Sequence, residues 1–263
     1  MDTAVLSTPF EPAALAAADT ATLKATLLKH VEGREAESMA KKVRFANETL
    51  MPLFHELAKR NPIPDLHQQI PLLQGLWVSL WSTNPFQDIL PGRVHDESYQ
   101  IFDDSGYYAN LARYKPGRKT PILNRISRWL LSYDLLIMQS YRVQTLAQGK
   151  SEDAIHGTPP MQQYWEIQNV CIQQALRIGS RSFSPEAAQI WLRKAIAQQQ
   201  SADSALPPPE APQKGRLKAK QYQQIAKARP QLDNLYIDSE FRLVKTQREK
   251  SQRPSYTVAI RKT

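Results

Sequence analysis

The sequence predicts a mainly β chain with some α structure: an antiparallel β-barrel preceded by a small N-terminal helical cap. Three observations carry this. Residues 75–83, Gly-Leu-Trp-Val-Ser-Leu-Trp-Ser-Thr, alternate as a strand, with Trp77, Ser79 and Trp81 on one face and Leu76, Val78 and Leu80 on the other. Asp103-Asp-Ser-Gly106 separates two alternating aromatic runs, residues 98–102 and 107–114, which is a hairpin signal. Strand-like runs at residues 232–246 and 256–260 return after a long polar excursion. A meander whose last strands must be brought back is most simply closed, because closure removes its edges. About eight strands leave an interior just wide enough for one small apolar ligand.

The bulk numbers fit a folded globular chain: 263 residues, 41% hydrophobic and 22% charged. Apolar runs such as residues 135–138 fall far short of the roughly 18 residues of a membrane-crossing helix. The first 23 residues carry no Lys or Arg but do carry Asp2, Glu11 and Asp19, which reads as neither a secretory signal nor a basic transit peptide and leads to a cytoplasmic expectation. A single cysteine, Cys171, excludes an intrachain disulfide and a multi-cysteine zinc site, and its expected place is a core. The net charge of +9 is uneven: residues 198–263 hold thirteen Lys or Arg against six Asp or Glu. Such a segment is drawn to phosphates, whether of an anionic bilayer or of nucleic acid.

In chain order, residues 1–18 are alanine-rich and read as a disordered lead-in. Residues 19–70 form the helical segment. Asp19 or Thr20 caps a first helix with Leu23, Leu27, Leu28 and Val31 on one stripe and Gly33 as its stop. A second helix from about residue 35 carries Met39, Val43, Ala46 and Leu50, and Pro52 kinks it or begins a third turn with Leu53, Phe54 and Leu57. Residues 71–263 form the barrel domain. Residues 121–146 read as a short helix followed by a strand from about residue 135, and residues 164–178 as one long strand or a pair. Ser184-Pro185-Glu186 starts a helix, with serine as cap and proline in the first turn. Residues 198–231, with Pro207 to Pro209 and several lysines, read as a basic Pro/Gln-rich inserted loop.

No glycine-rich phosphate loop, nucleophile elbow, dinucleotide fingerprint or zinc spacing is present, and the five histidines lie apart in sequence. Asp103 and Asp104 read as turn formers rather than as a paired acid and base. Asp238 and Arg242 lie four apart in an otherwise apolar stretch, where a charge must be paired or sit at a barrel mouth, and an ion pair between them is the plainest reading.

These residues resemble the plastid-lipid-associated protein family, the fibrillins of chloroplasts and cyanobacteria. The matching positions are Leu23 to Val31 followed by Glu32-Gly33, Leu73-x-Gly75-x-Trp77 followed by Trp81-Ser82-Thr83, Tyr99-Gln100-x-Phe102, Asn110 with Ala112-Arg113-Tyr114, and Tyr236-Ile-Asp238-x-x-x-Arg242. They run in the family's order over roughly residues 20–114 and 232–260. Residues 121–231 match poorly, and Ser255-Tyr-Thr-Val258 lacks an expected glycine. The resemblance implies a lipocalin-like barrel that binds a lipid, quinone, carotenoid or other isoprenoid without catalysis. It also implies peripheral contact with the thylakoid membrane of a cyanobacterium through the basic C-terminal segment, and a role in maintaining or protecting photosynthetic membranes. By carry-over, Trp77 and Trp81 line or floor the cup, Tyr99, Phe102 and Tyr108 belong to its wall, and Asp238 with Arg242 sits in the closing motif.

Two other readings compete. A barrel enzyme, such as one attaching a bilin or another tetrapyrrole, needs a polar cluster in the cup, and convergence there of His95, Asp238 or Cys171 would favour it. A nucleic-acid-binding protein would use the basic C-terminal third with Tyr222, Tyr236 and Tyr256 and show steep salt dependence, but nucleic acid is not the expected partner.

Overall fold

A computed structural model of the chain describes residues 10–84, 93–116, 131–146, 162–178, 184–201, 231–247 and 253–262. Eight strands, β1 (Gly75–Ser82), β2 (Arg93–Phe102), β3 (Tyr107–Pro116), β4 (Leu131–Leu146), β5 (Gln162–Ile178), β6 (Gln231–Ile237), β7 (Phe241–Gln247) and β8 (Ser255–Arg261), pair in sequence order into a closed barrel. All neighbours are antiparallel, and β8 returns to β1. The expected lipocalin-like barrel with a helical cap is therefore the fold.

The 103–106 turn forms as expected. Gly106 takes φ 82°, and the Asp103 carboxylate accepts the Ser105 N–H at 3.0 Å. The strand expected from residue 135 begins at Leu131, and the short helix expected ahead of it falls mostly outside the described residues. Residues 162–178 are one strand, not a pair.

Ahead of the barrel lie α1 (Pro12–Ala17), α2 (Thr20–Val31), α3 (Met39–Phe45), α4 (Met51–Lys59) and α5 (Leu66–Leu73). The Asp19 carboxylate accepts the Thr22 N–H at 2.6 Å, so this residue is the N-cap of α2. Pro52 lacks the N–H that an upstream carbonyl would take, and the helix widens into one π turn, Ala46–Leu50, just before it. Residues 12–17 correct the expected disordered lead-in. Leu15 is buried, and the Arg60 guanidinium gathers the carbonyls of Leu15, Ala16 and Ala18, satisfying the end of this short helix. A last helix, α6 (Pro185–Ser201), is capped by the Ser184 hydroxyl, which accepts the Ala187 N–H at 3.1 Å. It runs into the stretch read as the start of a loop. Gln231 opens β6, and residues 202–230 between them lie outside the described residues.

Three apolar clusters hold these layers together. The first lies on the outer face of β1, β6, β7 and β8, where Trp81, Tyr236, Phe241, Leu243, Tyr256 and Val258 meet α1, α2 and α4. The second lies on the opposite outer face, where Tyr99, Ile101, Leu111, Leu136 and Met138 meet Ala188, Leu192 and Ala195 of α6. The third is the interior, where Trp77, Phe102, Tyr108, Tyr141, Trp165, Ile237 and Val244 meet Leu66 and Leu73 of α5. Helix α5 thus plugs one end of the barrel.

The shared face expected for Trp77 and Trp81 is corrected here. The β1–β8 register runs Ser79↔Ala259 and then Trp81↔Val258, a bulge that adds one residue to β1. A bulge exchanges the two faces of a strand. Trp77 points inward, and Trp81 points outward beneath the helices.

Candidate ligand site inside the barrel

The plugged end has an aromatic floor. Phe102 and Tyr108 stack at 4.8 Å with an 8° angle between their planes, and Tyr141 stands edge-on to both, at 5.8 and 6.0 Å. Trp165 meets Tyr141 at 5.5 Å. The polar ends of these rings are tied to α5 and the residue after it: Trp77 Nε1 donates to the Leu73 carbonyl at 2.9 Å, and Gln74 Nε2 donates to the Tyr141 hydroxyl at 3.3 Å. Burial raises the Tyr108 pKa, against a hydrogen bond from Asn110 and the nearby Arg242 charge, so its phenol stays neutral at physiological pH.

Over this floor lies Arg242, 0% exposed. Its guanidinium carbon is 5.1 Å from the Trp77 ring centroid and 4.8 Å from that of Phe102. Among the described residues no carboxylate pairs with it. Its Nε and Nη2 donate to Asn234 Oδ1 at 3.3 and 3.0 Å, and Nη1 donates to Gln100 Oε1 at 3.3 Å. Burial, with Arg261 nearby, pushes its pKa down to about 9, which leaves it charged at neutral pH.

Because arginine only donates, it fixes the direction of every amide that follows. On one side Asn234 turns its oxygen to Arg242 and donates Nδ2 to Gln69 Oε1 at 2.7 Å. That same oxygen takes Trp165 Nε1 at 3.4 Å, and Gln69 Nε2 donates to the Ile63 carbonyl at 2.8 Å. On the other side Gln100 Nε2 donates to Asn110 Oδ1 at 3.0 Å, Asn110 Nδ2 donates to Gln139 Oε1 at 2.7 Å, and Gln139 donates on to Asn169. Two chains of amides thus run along the interior with their oxygens towards one cation.

Beyond this belt some inward side chains are only partly covered. Gln100, Asn110, Ala112 and Ile137 all project inward by their register, and each is only half-buried. The neighbouring inward positions Ser79, Ser98, Thr257 and Ala259 are small. The Ser79 hydroxyl is buried with no partner among the described residues.

The seven sequence-derived candidates separate. Trp77, Phe102, Tyr108 and Arg242 come together inside. Trp81 packs outside against the N-terminal helices, and Tyr99 packs outside against α6. Asp238 sits in the β6–β7 turn, and the expected Asp238–Arg242 ion pair does not form. Instead its carboxylate takes Lys24 Nζ at 2.6 Å, the Tyr236 hydroxyl at 2.9 Å, and the N–H groups of Glu240 and Phe241 at 2.9 and 2.8 Å. The physical reason is direction: Asp238 is the first residue beyond the strand, while Arg242 faces inward opposite Ile237.

Of the three residues whose convergence would favour an enzyme, Cys171 faces outward near α6, Asp238 is held in its turn, and the His95 side chain lies outside the described residues. Among the described residues no three His, Cys, Asp or Glu side chains gather to hold a metal ion, and no helix is long and apolar enough to cross a membrane.

The amides were missed in the sequence reading, yet they carry a signal. Gln100, Asn110 and Gln139 each stand two positions from an inward aromatic, namely Phe102, Tyr108 and Tyr141. Amides repeating at that spacing on consecutive strands mark one polar layer next to one aromatic layer. The chain matches no family model, and it matches no curated protein.

Proposed function

We propose that the chain is a non-catalytic carrier for one apolar or amphiphilic small molecule, held in the barrel between the aromatic floor and the partly covered half of the interior. The observation that carries this reading is that the inward mid-strand side chains Gln100, Asn110, Ala112 and Ile137 remain half-buried in a barrel whose outer faces are covered by helices. The resemblance to fibrillins supplies the cargo class, a lipid, quinone or carotenoid, and the setting, the surface of a cyanobacterial thylakoid. The basic C-terminal segment, which favours anionic headgroups, supports that setting.

Native mass spectrometry with absorption spectroscopy on protein purified from a photosynthetic host tests the proposal. The expected result is a co-purifying apolar mass that is lost on Trp77→Ala with the fold intact. Protein that stays empty when offered such molecules refutes the reading. Sedimentation with vesicles tests the setting: binding should require anionic lipid and weaken at high salt.

A further inference from the structure

Among the described residues Arg242 is a buried cation with no anion paired to it. Taking a charge out of water is costly unless a counter-charge and hydrogen bonds replace the lost solvation, and here only amide oxygens do so. Among the described residues the other cation near it is Arg261, which stacks on Trp77 at 4.4 Å and donates to the carbonyls of Leu72, Gln74 and Ser239. The two guanidinium groups flank one indole, and no described carboxylate pairs with either. Among the described residues the positive charge at the floor of the barrel is therefore uncompensated.

The donors are also incomplete. A guanidinium has five N–H groups, of which Arg242 spends three on Asn234 and Gln100. One N–H on each terminal nitrogen remains without an acceptor among the described residues. Across the sheet, Arg242 pairs with Ala259, which pairs with Ser79, so the three inward positions are neighbours at one level. Alanine in the middle places only a methyl group between the guanidinium and a serine hydroxyl that itself has no partner among the described residues, and this level is closed to water in the free chain, so a head group enters by parting it.

Resting on the carrier reading, we infer that the cargo is an amphiphile with an anionic oxygen head group, a carboxylate or a phosphate. The head accepts from Arg242 and Ser79 over Ala259, and the tail lies along the half-buried inward positions Ala112 and Ile137. Two acceptor oxygens match the two open N–H groups, and the negative head supplies the missing counter-charge.

The test uses the full chain at neutral pH and follows tryptophan fluorescence, since Trp77 lies beside the guanidinium. Laurate, dodecyl phosphate, dodecanol and dodecyltrimethylammonium share one tail length, and inorganic phosphate has no tail. The expected result is that laurate or dodecyl phosphate binds about 10- to 100-fold more tightly than dodecanol. The better of the two names the head, and the cation and inorganic phosphate should bind far more weakly. In Arg242→Met the anions should bind no more tightly than dodecanol binds to the same variant, and Ser79→Ala should weaken the anions more than dodecanol. If Arg242→Met does not fold, the wild-type series still decides. Dodecanol binding within about threefold of both anions overturns the inference and leaves the carrier reading standing. Inorganic phosphate binding as tightly as dodecyl phosphate also overturns it. Failure of every dodecyl compound to bind removes both readings together.

Discussion

Replacing Asn234 by leucine, which is close to it in shape, deprives the buried Arg242 of the oxygen that takes two of its three hydrogen bonds. A hydrogen bond to a charged group contributes about 1.5–3 kcal/mol, so Asn234→Leu should destabilise the ligand-free barrel by about 3–5 kcal/mol. That is a large share of the roughly 5–15 kcal/mol that holds a domain folded. Arg242→Met removes the charge and its desolvation cost together while leaving two amide oxygens without a donor, so it should cost less, under about 2 kcal/mol. If the damage in Asn234→Leu comes from the stranded cation, the double variant should be at least about 2 kcal/mol more stable than Asn234→Leu alone. Urea unfolding of the four proteins followed by tryptophan fluorescence measures this coupling. Additivity within about 0.5 kcal/mol would refute the argument, because it would mean that Asn234 does not solvate the guanidinium.

The pH dependence offers an internal check. The Arg242 pKa is pushed down to about 9 in the folded protein from 12.5, so above about 9 the unfolded chain holds more protons and the penalty of the buried charge is relieved. The gap between Asn234→Leu and wild type should narrow as pH rises from neutral towards 10. Above 10 an opposite effect sets in, because the buried Tyr108 keeps its proton while the unfolded phenol loses it and stability falls.

Other outcomes follow from the same structure. Trp77→Ala and Trp81→Ala should each cost about 3–5 kcal/mol by unfolding, yet Trp77→Ala alone should abolish ligand binding in titrations, since Trp81 packs under the helices. Arg113 and Asp134 form a bidentate pair on the outer face, at 2.8 and 3.0 Å, and Asp134→Ala should cost about 3–5 kcal/mol in thermal or urea unfolding by removing the carboxylate from a buried guanidinium. Burial alone would raise the Asp238 carboxyl, but Lys24, the Glu240 and Phe241 amides and the Tyr236 hydroxyl hold it below 3.8. Its contribution is therefore present above that pH and lost as pH falls through the lowered value, and Asp238→Asn should be less stable at neutral pH with a flatter acid limb. Gln69→Leu should speed amide hydrogen exchange in β6 more than in β2 or β3.

How much of this was legible follows from what each residue's neighbours decide. The 103–106 turn was readable because a turn is local: an aspartate that binds its own backbone and a glycine that takes positive φ suffice. The fate of Trp81 was not, because one extra residue in β1, paired against β8 some 175 positions away, exchanges the faces. Tyr99 was misassigned for the related reason that alternation shows two faces without saying which one a distant helix will cover. Asp238 and Arg242 looked like a pair on spacing, but a turn between them sends one to Lys24 and the other inside. Helix α5 was hidden behind Pro62, Pro64 and Pro71, although Pro71 lies near its end, where losing one backbone bond is tolerable.

That hidden helix connects the stability of the barrel to its chemistry. The seam between β5 and β6 is the thinnest in the sheet, with backbone register only at Trp165↔Leu232 and Glu166↔Gln231 among the described residues. It is also where the chain returns after its longest excursion, so closing it carries the largest loop entropy. α5 spans this seam from inside the barrel. Gln69 accepts from Trp165 of β5 and from Asn234 of β6, and the Leu66 N–H donates to Gln163 Oε1 at 3.2 Å. Asn234 is at the same time the main acceptor for Arg242. A single asparagine therefore joins the closure of the barrel to the solvation of its buried cation. An anion taken up by Arg242 would strengthen the charge balance at the point where the sheet is least held by its own backbone, so cargo binding and closure of the seam should stabilise one another.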